Sequence, residues 1–93
     1  MERPASIPDW VLTPHAETEL RRRGLEPSLI GEVLAAPERR RSFRPGREVV
    51  EARRVFEEKQ YLVRVFVDVD RSPAEVVTAY RTSKIAKYWG DAP

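Results

Sequence analysis

The 93-residue chain has no cysteine and a single histidine. The first absence excludes disulfides, thiol chemistry and any cysteine-based zinc site. The second excludes an imidazole-rich metal centre, so neither a metal nor another cofactor is expected. No apolar run approaches the length needed to cross a bilayer, and the first residues (Glu2, Arg3, Pro4, Pro8, Asp9) do not read as a secretory leader. A cytoplasmic protein without a membrane partner is the expectation. No internal repeat is visible.

What remains is a highly charged small domain. Apolar residues make up 41% and charged residues 34% of the chain, too apolar for disorder. At this length one domain over residues 1–93 is expected, with a loose lead-in over 1–9 and a tail over 90–93. Lys and Arg exceed Asp and Glu by only 17 to 15. Any case for nucleic acid must therefore rest on where the charges lie.

Trp10, Val11 and Leu12 form an apolar patch expected to dock just ahead of the first helix. Thr13-Pro14 is a strong helix start, and Gly24 suits a left-handed stop after Arg23. Pro27 opens a second helix with Leu29, Ile30, Val33 and Leu34 on its buried face, ending at Ala35-Ala36-Pro37. The short link implies a helical hairpin.

Residues 37–47 read PERRRSFRPGR, five arginines against one glutamate. This is either a solvated connector or a basic loop gripping a polyanion, with Arg40, Arg41 and Arg44 on phosphates and Phe43 stacking on a base. Residues 48–57 alternate imperfectly, and 57–60 form a polar turn. Tyr61–Asp68 is the clearest strand, followed by a turn over 70–73 and a third strand from Val76. The fold class is α+β: the hairpin packed on a three- to four-stranded antiparallel sheet, with a short C-terminal helix.

The helices should cover Val63, Val65 and Val67 on one strand and Val77 and Ala79 on the next. Arg64, Thr78 and Tyr80 then share the opposite face, where Phe66 limits solvation. A slip of one residue reverses this. The last strand ends in a corner rich in hydroxyls and cations: Tyr80, Arg81, Thr82, Ser83, Lys84 and Lys87 (a plausible phosphate site). Ser83 is expected to cap the final helix, which places Ile85, Tyr88 and Trp89 on one side.

The run His15-Ala16 … Leu20-Arg21-Arg22-Arg23-Gly24-Leu25, a second helix ending in proline, a basic linker, two strands and Val77-Thr78-Ala79-Tyr80-Arg81-Thr82-Ser83-Lys84 together resemble the DUF4258 family. The resemblance spans nearly the whole chain, from about Thr13 to Trp89. That family is grouped with RelE/BrnT-like toxins and other small metal-independent ribonucleases. The resemblance implies an RNA-cleaving toxin with RNA as substrate and an antitoxin protein as partner. One position departs: where members often carry an Arg four residues after the helix-one His, this chain has Glu19, which bears on catalysis more than on fold.

RNA needs no metal for cleavage because its 2′-hydroxyl is a built-in nucleophile. The protein must supply a base, an acid and cations for the phosphorane. On this reading His15 is the base, because imidazole titrates nearest neutrality. Tyr80 donates a proton or hydrogen bond, and Arg64, Arg81 and Lys84 hold the scissile phosphate. Arg23, Thr78, Ser83 and Lys87 add contacts to RNA. A non-catalytic nucleic-acid-binding module and a protein-interaction domain remain as alternatives.

Overall fold

The apolar patch at Trp10 proves to be a strand. In the computed structural model, which describes residues 3–89, β1 (Trp10–Leu12) lies parallel to β5 (Ala74–Thr82), with Trp10 opposite Ala74 and Leu12 opposite Val76. Its ends are tied by Ala74 N–H to Asp9 O at 3.1 Å and Thr13 N–H to Val76 O at 3.1 Å. A parallel partner so far away in sequence leaves no local turn signal, so nothing nearby marks these residues as a strand.

Helix α1 (Pro14–Arg23) begins and ends as its sequence dictates. Thr13 Oγ1 accepts from Ala16 N–H at 3.0 Å. Gly24 takes φ 67°, its N–H reaching Arg21 O while Leu25 N–H reaches Leu20 O at 2.9 Å. Those two bonds form a Schellman motif, which only a residue tolerant of positive φ closes without strain. Helix α2 (Pro27–Ala35) buries Ile30, Val33 and Leu34. The helices do not form the expected hairpin: α1 packs on β5, α2 on β3 and β4, and each docks chiefly on the sheet.

The sheet has five strands in the order β1-β5-β4-β3-β2 and is mixed, which corrects the antiparallel three- to four-stranded expectation. The added antiparallel member is β2 (Arg39–Arg44), formed from the supposed basic connector and paired with β3 (Arg47–Phe56). The pairing survives the charge because Arg39 and Arg40 meet Glu51 and Glu48 on β3, at 2.9 and 2.6 Å. β4 (Lys59–Asp68) sits between β3 and β5.

One face of this sheet and the two helices enclose the core: Val50, Ala52, Val63, Val65, Val67, Val76 and Ala79 against Ala16, Leu20, Ile30, Val33 and Leu34. A bulge sets the register of β5. Phe66 pairs with Thr78 but Val67 pairs with Val76, leaving Val77 over. Val76 therefore takes the core position expected of Val77, while Ala79 keeps its own. Thr78 and Tyr80 face away from the helices, as the alternation required. Among the described residues no helix is long and apolar enough to cross a membrane.

Candidate functional site

The face turned away from α1 and α2 carries a row of polar side chains in direct cross-strand register. Arg39 on β2 pairs with Glu51 on β3, Glu51 with Arg64 on β4, and Arg64 with Tyr80 on β5. Directly opposed side chains on one face lie close enough to bond. Arg39 Nε donates to Glu51 Oε1 at 2.9 Å, and Arg64 Nε to Glu51 Oε2 at 2.7 Å. Arg64 Nη1 donates to the Tyr80 hydroxyl at 2.6 Å. Glu51 is 0% exposed and Arg64 only 8%. A buried carboxylate is tolerated only with such partners, because an unpaired one carries its full desolvation cost.

Helix α3 (Ile85–Trp89) lies over this row. Tyr88 covers Arg64, the ring centroid 4.2 Å from Cζ, and Trp89 covers Arg39 at 4.1 Å and Arg53 at 4.9 Å. Four rings run in a line across the face: Phe43 to Phe66 at 5.2 Å, Phe66 to Tyr80 at 6.1 Å, Tyr80 to Tyr88 at 6.4 Å. Phe43 is 57% exposed and marks the open end. The turn into α3 is capped not by Ser83 but by Thr82, whose Oγ1 accepts from Lys84 N–H at 3.1 Å. Thr82 closes the strand with its hydroxyl already directed along the turn.

The two phenols are pushed in opposite directions. Burial raises the Tyr80 pKa above its ordinary value; the hydrogen bond from Arg64 opposes this and the neighbouring Tyr88 reinforces it. Tyr88 is lowered, chiefly by its interaction with Tyr80 and further by the charges of Lys87 and Arg64, against slight burial. Arg64 is raised: burial works against its charge, but Glu51 and Tyr80 outweigh it. Arg64 Nη2 has no protein partner among the described residues. Nε and Nη1 are committed to Glu51 and Tyr80.

Of the residues singled out from sequence, Arg64, Tyr80, Thr78 and Phe43 meet on this face, with Arg41 paired to Val49 alongside. Arg41 and Arg44 make no ion pair among the described residues and are exposed, as are Lys84, Ser83 and Lys87. Lys87 places Nζ 5.3 Å from the Tyr88 ring.

His15 is not part of the site. It is exposed in the first turn of α1, the helix whose Ala16 and Leu20 pack into the core on the other side of the sheet. Thr13, at the head of that helix, bonds Val76, four residues before Tyr80 on β5. Sheet and strand length both separate the imidazole from the phenol. Arg81 pairs with Val63 and so faces the helix side, between Phe56 at 4.5 Å and Tyr61 at 4.7 Å. Strand alternation forbids adjacent Tyr80 and Arg81 from sharing a face. Arg40, opposite Val50, also points to the helix side and is held by Glu48 and Ala5 O.

Arg23 closes the edge of β5 beyond the end of β1. Its Nη1 donates to Thr78 Oγ1 at 3.1 Å and Ala79 O at 2.8 Å, and its Nη2 meets Glu19 at 2.6 Å. Glu19 thus orients this arginine. Sequence reasoning missed Glu51, Arg39 and the roles of Tyr88 and Trp89. One signal was available: Glu51 lies between Val50 and Ala52, so it points away from the core once β3 is known to be buried.

A hollow lined by Leu12, Glu17, Leu20, Arg21, Leu25 and Pro27 lies between α1 and the start of α2, away from this chemistry. Among the described residues no three His, Asp or Glu side chains converge as a metal site requires. Comparison with family models, with curated proteins and with solved structures finds no match for this chain.

Proposed function

We propose that the chain is a metal-independent endoribonuclease of the toxin–antitoxin kind, a relative of the RelE/BrnT-like toxins, acting on RNA in the cytoplasm. The observation that carries this reading is the geometry of Arg64, Tyr80 and Tyr88: one guanidinium donates to the Tyr80 hydroxyl at 2.6 Å and lies 4.2 Å from the Tyr88 ring centroid, so that two phenols stand beside one fixed cation, with burial raising Tyr80 and its neighbours lowering Tyr88. Paired groups driven apart in this way are suited to opposite roles in proton transfer.

Tyr88, the more acidic phenol, acts as its phenolate: the phenolate oxygen takes the proton of the 2′-hydroxyl as that oxygen attacks the adjacent phosphorus, and Tyr88 becomes the neutral phenol. Tyr80 gives its proton to the departing 5′-oxygen, and Arg64 Nη2 holds the charge that develops on the phosphorane. The products are a 2′,3′-cyclic phosphate and a 5′-hydroxyl, and solvent returns the proton from Tyr88 to Tyr80. Exposed Arg41 and Arg44 contact the RNA backbone and Phe43 stacks on a base, while Lys84 and Lys87 extend the positive surface toward α3. An antitoxin would cover this basic face.

Purified protein incubated with RNA in EDTA tests the reading. Cleavage leaving cyclic phosphate ends supports it. Salt-dependent binding without cleavage supports a second reading, a non-catalytic RNA-binding module, which exposed Arg41, Arg44 and Phe43 would serve without any acid or base. No binding and no cleavage would sink both.

A further inference from the structure

We propose that Arg39 is the positioning residue of this site: it clamps the last turn of α3 and so seats Tyr88 over Arg64. The inference rests on the ribonuclease reading only for its consequence for cleavage; the placement of α3 stands by itself.

Helix α3 has five residues and buries none of them fully. A helix so short does not persist alone, because nucleation is unfavourable and its terminal carbonyls lack partners within the helix. Arg39 supplies those partners from the far edge of the sheet. Nη2 donates to Tyr88 O at 2.7 Å and Nη1 to Trp89 O at 3.2 Å, while Nε stays on Glu51. Its guanidinium also lies under the Trp89 ring. All three nitrogens are thereby committed, so Arg39 is unavailable to RNA although it belongs to the basic run. Arg53 also lies near Trp89, but its Nε is taken by Glu38 at 3.0 Å. The backbone that Arg39 grips is that of Tyr88 itself, and the ring over Arg64 follows from it. Glu51 links the two arginines, so one carboxylate fixes both the clamp and the group being covered.

Only a planar fork can hold a carboxylate and two carbonyls together; an ammonium keeps the charge but not the geometry. The test is therefore Arg39→Lys in the full chain, which leaves buried Glu51 with two cations. A Trp10→Phe background makes Trp89 the only indole. With far-UV circular dichroism retained, the expected result has three parts. Trp89 emission shifts to the red and becomes more quenchable by acrylamide. The ¹³Cζ titration of Tyr88 moves back up toward that of an ordinary tyrosine. RNA cleavage falls on the order of 10²-fold while RNA affinity changes little, as misplacement of a reacting group predicts.

Unchanged Trp89 fluorescence and Tyr88 titration would overturn the proposal, whatever happens to cleavage. A displaced Tyr88 with undiminished cleavage would overturn its functional half. A wild-type protein that cleaves no RNA would sink the ribonuclease reading alone, since fluorescence and titration still decide whether Arg39 seats α3.

Discussion

Arg64 and Tyr80, on neighbouring strands, face each other in register with Nη1 2.6 Å from the phenol oxygen, and behind Arg64 stands the fully buried Glu51 at 2.7 Å. A guanidinium held between a carboxylate and a phenol is both a structural tie and a chemical group. The two roles can be separated by measurement.

Structurally, Arg64→Leu removes one of the two cations on a carboxylate that has no access to water. The expected loss is about 3 kcal/mol of unfolding free energy in urea, the range for breaking a buried ion pair. Adding Glu51→Leu should regain part of it, because the apolar pair needs no compensation while Arg39 Nε loses its partner. A double variant as unstable as the single one would mean that the cost lies in packing.

The acid limb of stability follows from a second pair on the same face. Arg47 donates from Nε to Asp68 Oδ1 at 2.6 Å and from Nη2 to Oδ2 at 3.1 Å. This fork holds the Asp68 carboxyl below its usual range; burial opposes it and Arg71 and Arg44 assist. The folded state therefore binds the proton more weakly than the unfolded state. The stabilisation is full above the unfolded value of roughly 3.9 and disappears as pH falls through the lower folded value. Glu38 shares the sign: burial pushes its pKa up, but the hydrogen bonds from Arg53 outweigh it. Asp68→Asn should flatten the fall in urea midpoint below about pH 4. An unaltered acid limb would place the linkage elsewhere.

The turn between β3 and β4 carries strain that can be relieved. Glu57 and Glu58 both have positive φ, 50° and 68°. A two-residue hairpin of this handedness favours Asn-Gly, and two glutamates also place like charges side by side. Glu57→Asn with Glu58→Gly should stabilise the domain by about 1 kcal/mol, seen as a rise in Tm of roughly 4–8 °C. No change in Tm would show that the unfolded chain gains as much as the turn.

What could be read from the sequence was local, and what could not be read was a matter of pairing. Thr13, Pro14, Gly24 and Pro27 announce the helix ends because capping acts within four residues. The alternation of Tyr61 to Asp68 placed Arg64, Thr78 and Tyr80 on one face correctly. Strand β2 was hidden because the carboxylates that neutralise Arg39 and Arg40 lie twelve and eight residues downstream, respectively, on another strand. Strand β1 was hidden because its partner begins at Ala74. The bulge at Val77 exchanged two valines between core and edge, which no alternation rule anticipates. His15 drew attention by its chemistry and by its place in the resembling motif, and the tertiary fold puts its helix on the layer opposite Tyr80. Glu51 was overlooked because a carboxylate in a strand reads as solvent-facing until its neighbours are known.

The role of the Tyr80 face in RNA cleavage is tested most directly by the rate of cleavage in EDTA by Tyr80→Phe compared with His15→Ala. Loss of the phenol is expected to slow cleavage by about 10²-fold or more, as for removal of a general acid, and loss of the imidazole to leave the rate at the wild-type level. The opposite pattern, a Tyr80→Phe protein that cuts normally and a His15→Ala protein that does not, would contradict it.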